Sequence, residues 1–572
     1  MSEDLQRLSV LALDCQASGA SPAHGDLIEL GWAFCSGAGL FEPPKCHFVV
    51  PRTDRPVPRA VRELTGWSEA CLAGSLPEPA AWQLFTDDVA HRATNAQPLP
   101  SIIHFARFEL GFLGDLHQRL SSGAFPLDVV CLHAMATRLF PELPRRSIRA
   151  LAGYLGYAPE LMRRATGHVE ATAFIWRECL PLLAARGVST WPELKLWLGE
   201  TRAERRPQRR QFPLESARRL ALPRAPGVYR LERRSGDVLY VGKATNLKQR
   251  VASHFKSRGP ATERALELLS QVHGLSHVIT ASALEAALLE CDEIQRLDPP
   301  YNVQFRATGE ASAWFGTRDL ADVSAVPDDH HRIGPLPSKR ALAALHALAA
   351  LHALDPPSVE ARRLRASALA VPAAFVPSDE LFWEGLQSFV AQHFAGRSPV
   401  DRRRLEARSR VLWLERGRTQ PDAAAESVEP EALDEVASAS DWDAARVLRR
   451  LERNLIQAGL LLRRARWLCL LAEATVAYAE RDMCGARALV IARASVRETH
   501  DLESVAGVVN FPARTVPSSR ERQSCFDKAA YHRMRVLLTE LHRVIDQGGE
   551  VALRVGSRTL SGAQLARLLC HV

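Results

Sequence analysis

The stretch Ala225-Pro226-Gly227-Val228-Tyr229, followed after Ser235-Gly236-Asp237 by Val238-Leu239-Tyr240-Val241-Gly242-Lys243, decides the reading of this chain. Two short apolar runs around a Ser-Gly-Asp turn predict a β-hairpin with Tyr229 and Tyr240 on neighbouring strands. Asn246 is placed to cap a helix over Leu247–Phe255, with Leu247, Val251 and Phe255 along its buried stripe. Arg250 and His254, four residues apart, share one face of that helix. Hairpin and helix together bring two phenols, an ammonium, a guanidinium and an imidazole into one neighbourhood.

A second helix is expected where Ser282 is followed by Ala283-Leu284-Glu285-Ala286-Ala287-Leu288-Leu289-Glu290. Glu290 has Ala286, Ala287 and Ile294 three or four positions away, on the apolar side. A carboxylate there is unfavourable unless it is paired or holds a metal. The segment closes on Pro299-Pro300-Tyr301-Asn302-Val303.

The succession GVY, YVGKATNLKQRV, EAALLE and PPYNV resembles the GIY-YIG nuclease domain, in the form found at the amino terminus of the bacterial UvrC-type excinucleases and their Cho-type relatives. The likeness implies a small α/β domain over residues 223–305 that cuts DNA phosphodiester bonds with Mg²⁺ or Mn²⁺. It assigns Tyr240 as the general base beside the attacking water, with Tyr229 hydrogen-bonded nearby. Lys243 would lower the phenol pKa or contact phosphate, since an ordinary tyrosine, pKa ~10, is a poor base at neutral pH. Arg250 would stabilise charge on phosphoryl oxygens, Glu290 would hold the metal, and Asn302 would order the site. His254 stands where the excinuclease pattern has tyrosine, which predicts altered tuning and not loss.

Residues 1–185 read as α/β, with strand-like runs at 8–13 and 27–34 and helices around 108–120, 148–155 and 170–183. LALDCQASG, DLIELGWAF, IHFARFELGFL and RRATGHVEATAFIW resemble the DEDDh exonucleases, which carry a ribonuclease-H-like fold. That family cleaves DNA ends with two metal ions on convergent carboxylates and a histidine base. Here Asp14 stands at the first aspartate, Gln16 at the paired glutamate and Glu109 at the second-motif aspartate. Arg163 stands at the histidine and His168 at the last aspartate. An amide supplies no anionic ligand and a guanidinium cannot act as a base. The expectation is a surviving fold without exonuclease activity, used for binding or docking.

The remaining chain says less. At 572 residues it exceeds one hydrophobic core. Its composition, 47% hydrophobic and 24% charged, is that of a globular protein. No apolar run reaches the ~18 residues of a membrane span, so no membrane partner and a cytoplasmic, nucleoid-associated place are expected. Eleven cysteines include no C-x-x-C pair, which argues against a zinc ribbon or a disulfide framework. The net charge is +8, and residues 200–258 hold sixteen Lys or Arg against five Asp or Glu, a pattern suited to a polyanion or to a solvated linker.

Residues 186–222 are read as a basic linker, 306–417 as a helical region, 418–441 as an acidic linker and 442–572 as an α+β region. Helical patterns are expected at 338–353 and 442–479 and a strand at Glu550–Val555; the basic stretches 402–410 and 446–453 read as solvated faces or DNA contacts. Three functions remain open: a DNA-repair endonuclease making single-strand nicks, with excision-repair damage-recognition proteins as partners; a dual nuclease with residual 3′–5′ exonuclease activity; or a non-catalytic DNA-binding scaffold.

Overall fold

The computed structural model describes residues 3–53, 55–92, 98–157, 162–200, 211–256, 262–305, 313–351, 359–395, 402–419, 442–562 and 565, except 482, 516, 519–520, 522 and 524–525. Its contacts divide the chain into two compact units. The first comprises Met1–Ala225, Tyr229–Val278 and Pro299–Tyr301; the second comprises Pro226–Val228, Ile279–Asp298 and Asn302–Val572. No helix of the described residues is long and apolar enough to cross a membrane.

The first unit opens with a six-stranded sheet: β1 (Val10–Ala17), β2 (Leu27–Ser36), β3 (Gly39–Leu40), β4 (Lys45–Phe48), β5 (Leu99–Ile103) and β6 (Leu127–Cys131). Strand order is β3-β2-β1-β5-β6, with β4 also on β2. β2 runs antiparallel to β1, whereas β5 and β6 continue the sheet in parallel. Antiparallel strands leading into a parallel half, with helices on both faces, is the ribonuclease-H-like arrangement expected from the exonuclease resemblance. Every residue of β2 is buried, because apolar side chains cover both faces of the sheet. Its helices include α1 (Ala106–Leu120), α2 (Ile148–Leu155) and α3 (Ala165–Ala184).

A three-stranded sheet then forms from β7 (Gly227–Glu232), β8 (Val238–Ala244) and β9 (Gly274–Ile279), in the order β8-β7-β9. The turn closes through Gly236 N to Arg233 O at 3.1 Å and Arg233 N to Asp237 O at 2.9 Å. Helix α4 (Leu247–His254) is capped by Asn246, whose side chain accepts from Gln249 N, and Leu247, Val251 and Phe255 are buried as expected. Helix α5 (Glu263–Gln271) precedes β9.

The second unit holds α6 (Ala283–Leu297), capped by Ser282. A small sheet of β10 (Ala313–Gly316), β11 (Val323–Ser324) and β12 (His331–Leu336) comes next. After several helices comes the long α7 (Ala444–Leu471). It leads into a wholly antiparallel five-stranded sheet: β13 (Thr475–Ala479), β14 (Ala486–Ala492), β15 (Ser495–Leu502), β16 (Glu550–Val555) and β17 (Arg558–Ser561). Helix α8 (Lys528–Asp546) crosses its face.

Several expectations change. The helix read over 442–479 ends at Leu471, and its tail is β13. β13 is the central strand and buried, so its continuous apolar run carries no alternation to separate it from the helix. The region 306–417 is not purely helical, since the four-residue strand β10 is apolar throughout and equally silent in period. Much of the supposed linker 186–222 is packed: Trp191 and Leu194 join the exonuclease-like core, and Leu214 and Leu222 pack with the hairpin. Only 201–210 of that linker, and 420–441 of the acidic one, lie outside the described residues. The helix at 338–353 is seen as Ala343–Leu351, and Glu550–Val555 is the strand expected.

Candidate active site

Three aromatic rings meet in the first unit. Tyr229 comes from β7 and is fully buried, Tyr240 comes from β8, and His254 ends α4. Ring centroids lie 6.1 Å apart for Tyr229–Tyr240, 5.8 Å for Tyr229–His254 and 6.1 Å for Tyr240–His254. Tyr229 Oη is 2.7 Å from His254 Nε2. Burial, aided by the charge of Arg250, pulls the imidazole pKa down to about 4. It is therefore neutral at physiological pH, and its Nε2 can accept the Tyr229 proton. Lys243 and Arg250 are both exposed.

Gly242, to which the sequence reading gave no role, lets the two phenols approach. A Cβ there would lie 2.5 Å from Tyr229 Oη and 2.8 Å from Tyr240 Cε1. The signal was present as the glycine of the Tyr-Val-Gly triplet, but close approach is visible only in three dimensions.

Glu290 lies on α6 in the second unit, half-buried, and Asn302 in the same unit is buried. Among the described residues no cluster of three or more His, Cys, Asp or Glu is arranged to hold a metal ion. A divalent cation at Glu290 would therefore take one protein carboxylate and complete its shell with water and phosphate oxygens, which is how Mg²⁺ is commonly held.

The exonuclease motifs do converge, in a cleft of about 420 Å³ lined by Asp14, Gln16, Glu109, Arg163 and His168. Their chemistry does not suit two metals. His168 Nδ1 is 3.0 Å from Asp14 Oδ1. Burial alone would lower the His168 pKa, but the charge and hydrogen bond of Asp14 outweigh it and raise the imidazole overall. Gln16 Nε2 donates to Arg163 O at 2.7 Å, a bond a glutamate cannot make. Glu109 accepts from Cys15 N at 3.1 Å, and burial and then the Asp14 charge push its pKa well up, toward the neutral acid. Of the carboxylates at the exonuclease positions, Asp14 is thus already paired with His168 and Glu109 is buried beside it.

The exonuclease-like part and the segment carrying the hairpin are joined by part-buried polar contacts within the first unit. Arg145 N donates to Ser270 Oγ at 3.0 Å, Ser147 Oγ to Glu267 Oε2 at 2.8 Å and Arg233 Nη1 to Tyr157 O at 2.7 Å. Glu267 also accepts from Tyr301 Oη at 2.9 Å, so a wall residue of the cleft holds the tyrosine that precedes Asn302.

Known proteins resemble parts of this chain. Residues 225–303 match the UvrC-like GIY-YIG domain. UvrABC system protein C of Nitrosomonas europaea is 40% identical over 124 residues, 21% of this chain and 20% of that protein. A Mycobacterium tuberculosis protein that carries the name bifunctional exonuclease/endonuclease is 26% identical over 310 residues, 52% of this chain and 45% of that one. The chain thus spans about a fifth and under half of the lengths of these two relatives. Among solved structures, the GIY-YIG N-terminal endonuclease domain of UvrC from Thermotoga maritima, bound to magnesium, is 31% identical; the match covers 15% of this chain and 93% of that one with a TM-score of 0.14. The likeness to the Mycobacterium protein extends well beyond the segment 225–303, so the chain carries a UvrC-like GIY-YIG domain and, over a longer stretch, is similar to a protein named for exonuclease and endonuclease together.

Proposed function

We propose that this protein is a DNA-repair endonuclease that makes single-strand nicks with Mg²⁺ or Mn²⁺, and that its exonuclease-like domain binds or docks without cutting. The observation that carries the reading is the Tyr229–His254 hydrogen bond at 2.7 Å, with Tyr240 packed against both rings. A neutral imidazole that accepts the hydrogen bond of one phenol fixes the orientation of that hydroxyl beside Tyr240, the positioning that acid-base chemistry requires. Tyr240, beside this pair, takes the proton of the attacking water and Tyr229 orders it; His254 does for Tyr229 what tyrosine does elsewhere in the family. Arg250 and Lys243, exposed on the adjoining helix and strand, meet the phosphoryl oxygens, where charge developing in the transition state is stabilised most. Glu290 binds the cation, which would neutralise phosphate charge. Asn302 orders the surrounding segment.

The inactive-exonuclease reading is supported by the Asp14–His168 pair and the Gln16–Arg163 bond, which occupy the groups that metals would need. These contacts disfavour a dual nuclease, and the assembled phenol cluster disfavours a mere scaffold. Docking to excision-repair damage-recognition proteins follows from the kinship with UvrC. The test is a supercoiled plasmid, and beside it a linear duplex, incubated with the full chain and Mg²⁺, Mn²⁺ or chelator. Open circles that form only with metal are expected, whereas nucleotide release from ends, or no cleavage with either metal, would overturn the reading.

A further inference from the structure

Residues 444–572 carry no legible function in the sequence, yet α6, the helix of Glu290, is built into their core. Leu284, Ala287, Leu288 and Cys291 of α6 share one buried cluster with Val476 and Tyr478 of β13 and with Met534, Leu537 and Leu541 of α8. Polar contacts hold the helix at two levels. At the start, Glu480 accepts from Leu284 N at 3.2 Å and from Arg543 Nη2 at 2.9 Å. Ser282 Oγ lies 2.7 Å from Tyr478 Oη, which donates to Glu285 Oε1 at 3.2 Å, and Arg487 Nε donates to the same oxygen at 2.9 Å. Farther along, Arg533 Nε donates to Asp292 Oδ1 at 2.8 Å while its Nη1 bonds Ala494 O at 3.0 Å.

At roughly 100° per residue, Glu285, Leu288 and Asp292 fall on one stripe, and Glu290 stands about 140–160° round from them. The anchored stripe faces the carboxyl-terminal domain, and Glu290 stands off that stripe. Fixing Glu285 and Asp292, before and after Glu290, fixes both the rotation and the axial position of the helix. A slip of one residue would turn the carboxylate by roughly 100° and move it ~1.5 Å along the axis.

We infer that the carboxyl-terminal α+β domain is the platform that sets the Glu290 carboxylate for its cation, with Tyr478 and Arg533 as positioning residues. The inference rests on the assignment of Glu290 to the metal. Ligand placement of this kind governs affinity, because supporting partners orient the ligand before the ion arrives.

The experiment is calorimetric titration of the full chain with Mn²⁺, with plasmid nicking followed in parallel, for wild type, Tyr478→Phe, Arg533→Ala and the exchange Asp292→Arg with Arg533→Asp. Tyr478→Phe removes one hydroxyl and is the variant that keeps the core intact. The expected result is a Mn²⁺ dissociation constant raised on the order of tenfold in both single variants, with nicking restored by excess Mn²⁺, and partial recovery in the exchange. Unchanged Mn²⁺ binding in folded Tyr478→Phe and Arg533→Ala would overturn the platform. Wild-type Mn²⁺ binding by Glu290→Gln would instead overturn the metal assignment on which it rests.

Discussion

Gly242→Ala is the sharpest perturbation of the phenol cluster, because it adds one methyl group and no charge. The new Cβ would stand 2.5 Å from Tyr229 Oη and 2.6 Å from Tyr229 Cζ, with Tyr240 Cε1 at 2.8 Å. Comfortable contact is ~3.5 Å, so one or both rings must retreat by about 1 Å. Tyr229 has no free space to retreat into: it is fully buried and lies 2.7 Å from His254 Nε2. Overpacking of this sort costs about 1–3 kcal/mol of stability, and misplacing a reacting group by ~1 Å costs about 10²-fold in rate. Plasmid nicking should therefore fall by roughly two orders of magnitude while the melting temperature drops by only several degrees. A folded Gly242→Ala protein that nicks within about threefold of wild type would show that the cluster geometry is not what sets the rate.

Arg250→Ala should slow nicking by about 10²- to 10³-fold, the scale of one lost transition-state charge contact (~3–4 kcal/mol), read as kcat under saturating DNA; a several-fold loss confined to DNA affinity would reduce Arg250 to phosphate positioning. Because His254 is already neutral, its pKa lying at about 4, the nicking rate should show no inflection near pH 6.5, and a histidine-like step there would contradict the buried, hydrogen-bonded placement. The full chain carrying Glu290→Gln should release no mononucleotides from DNA ends in either metal. Restoring Gln16→Glu, Glu109→Asp, Arg163→His and His168→Asp together is the smallest change expected to revive release, and end digestion by the unrestored protein would mean the metal ligands lie elsewhere. The test uses the full chain because Ser270 and Gln271 are buried beside the exonuclease-like domain, so cutting it free at residue 185 would expose that face.

The hairpin, the Asn246 cap and the helix bearing Arg250 and His254 were legible because each rests on local chemistry: a turn, a capping amide and a 3.6-residue stripe. The Tyr229–His254 bond was foreseen only as proximity, since its pairing depends on how far β7 and α4 approach. The sequence shows Gln16 and His168 as departures from the exonuclease ligands, but that they make bonds of their own, to Arg163 O and Asp14, is a property of the assembled cleft. β13 escaped detection because a strand buried on both faces has no alternation. The burial of Ala287, Leu288 and Cys291 against α8 was out of reach for a related reason: those residues and Met534 lie over two hundred positions apart, and no local pattern links them.

The most direct test of the central claim is the initial rate at which supercoiled plasmid becomes open circles, for wild type and Glu290→Gln across a Mg²⁺ titration. Glu290→Gln removes the one carboxylate assigned to the cation and keeps the shape of the side chain. Metal-dependent nicking by wild type, and its loss in a Glu290→Gln protein that still folds and binds DNA, is the predicted result. Nicking by Glu290→Gln at the wild-type rate, or by wild type in chelator, would contradict the account.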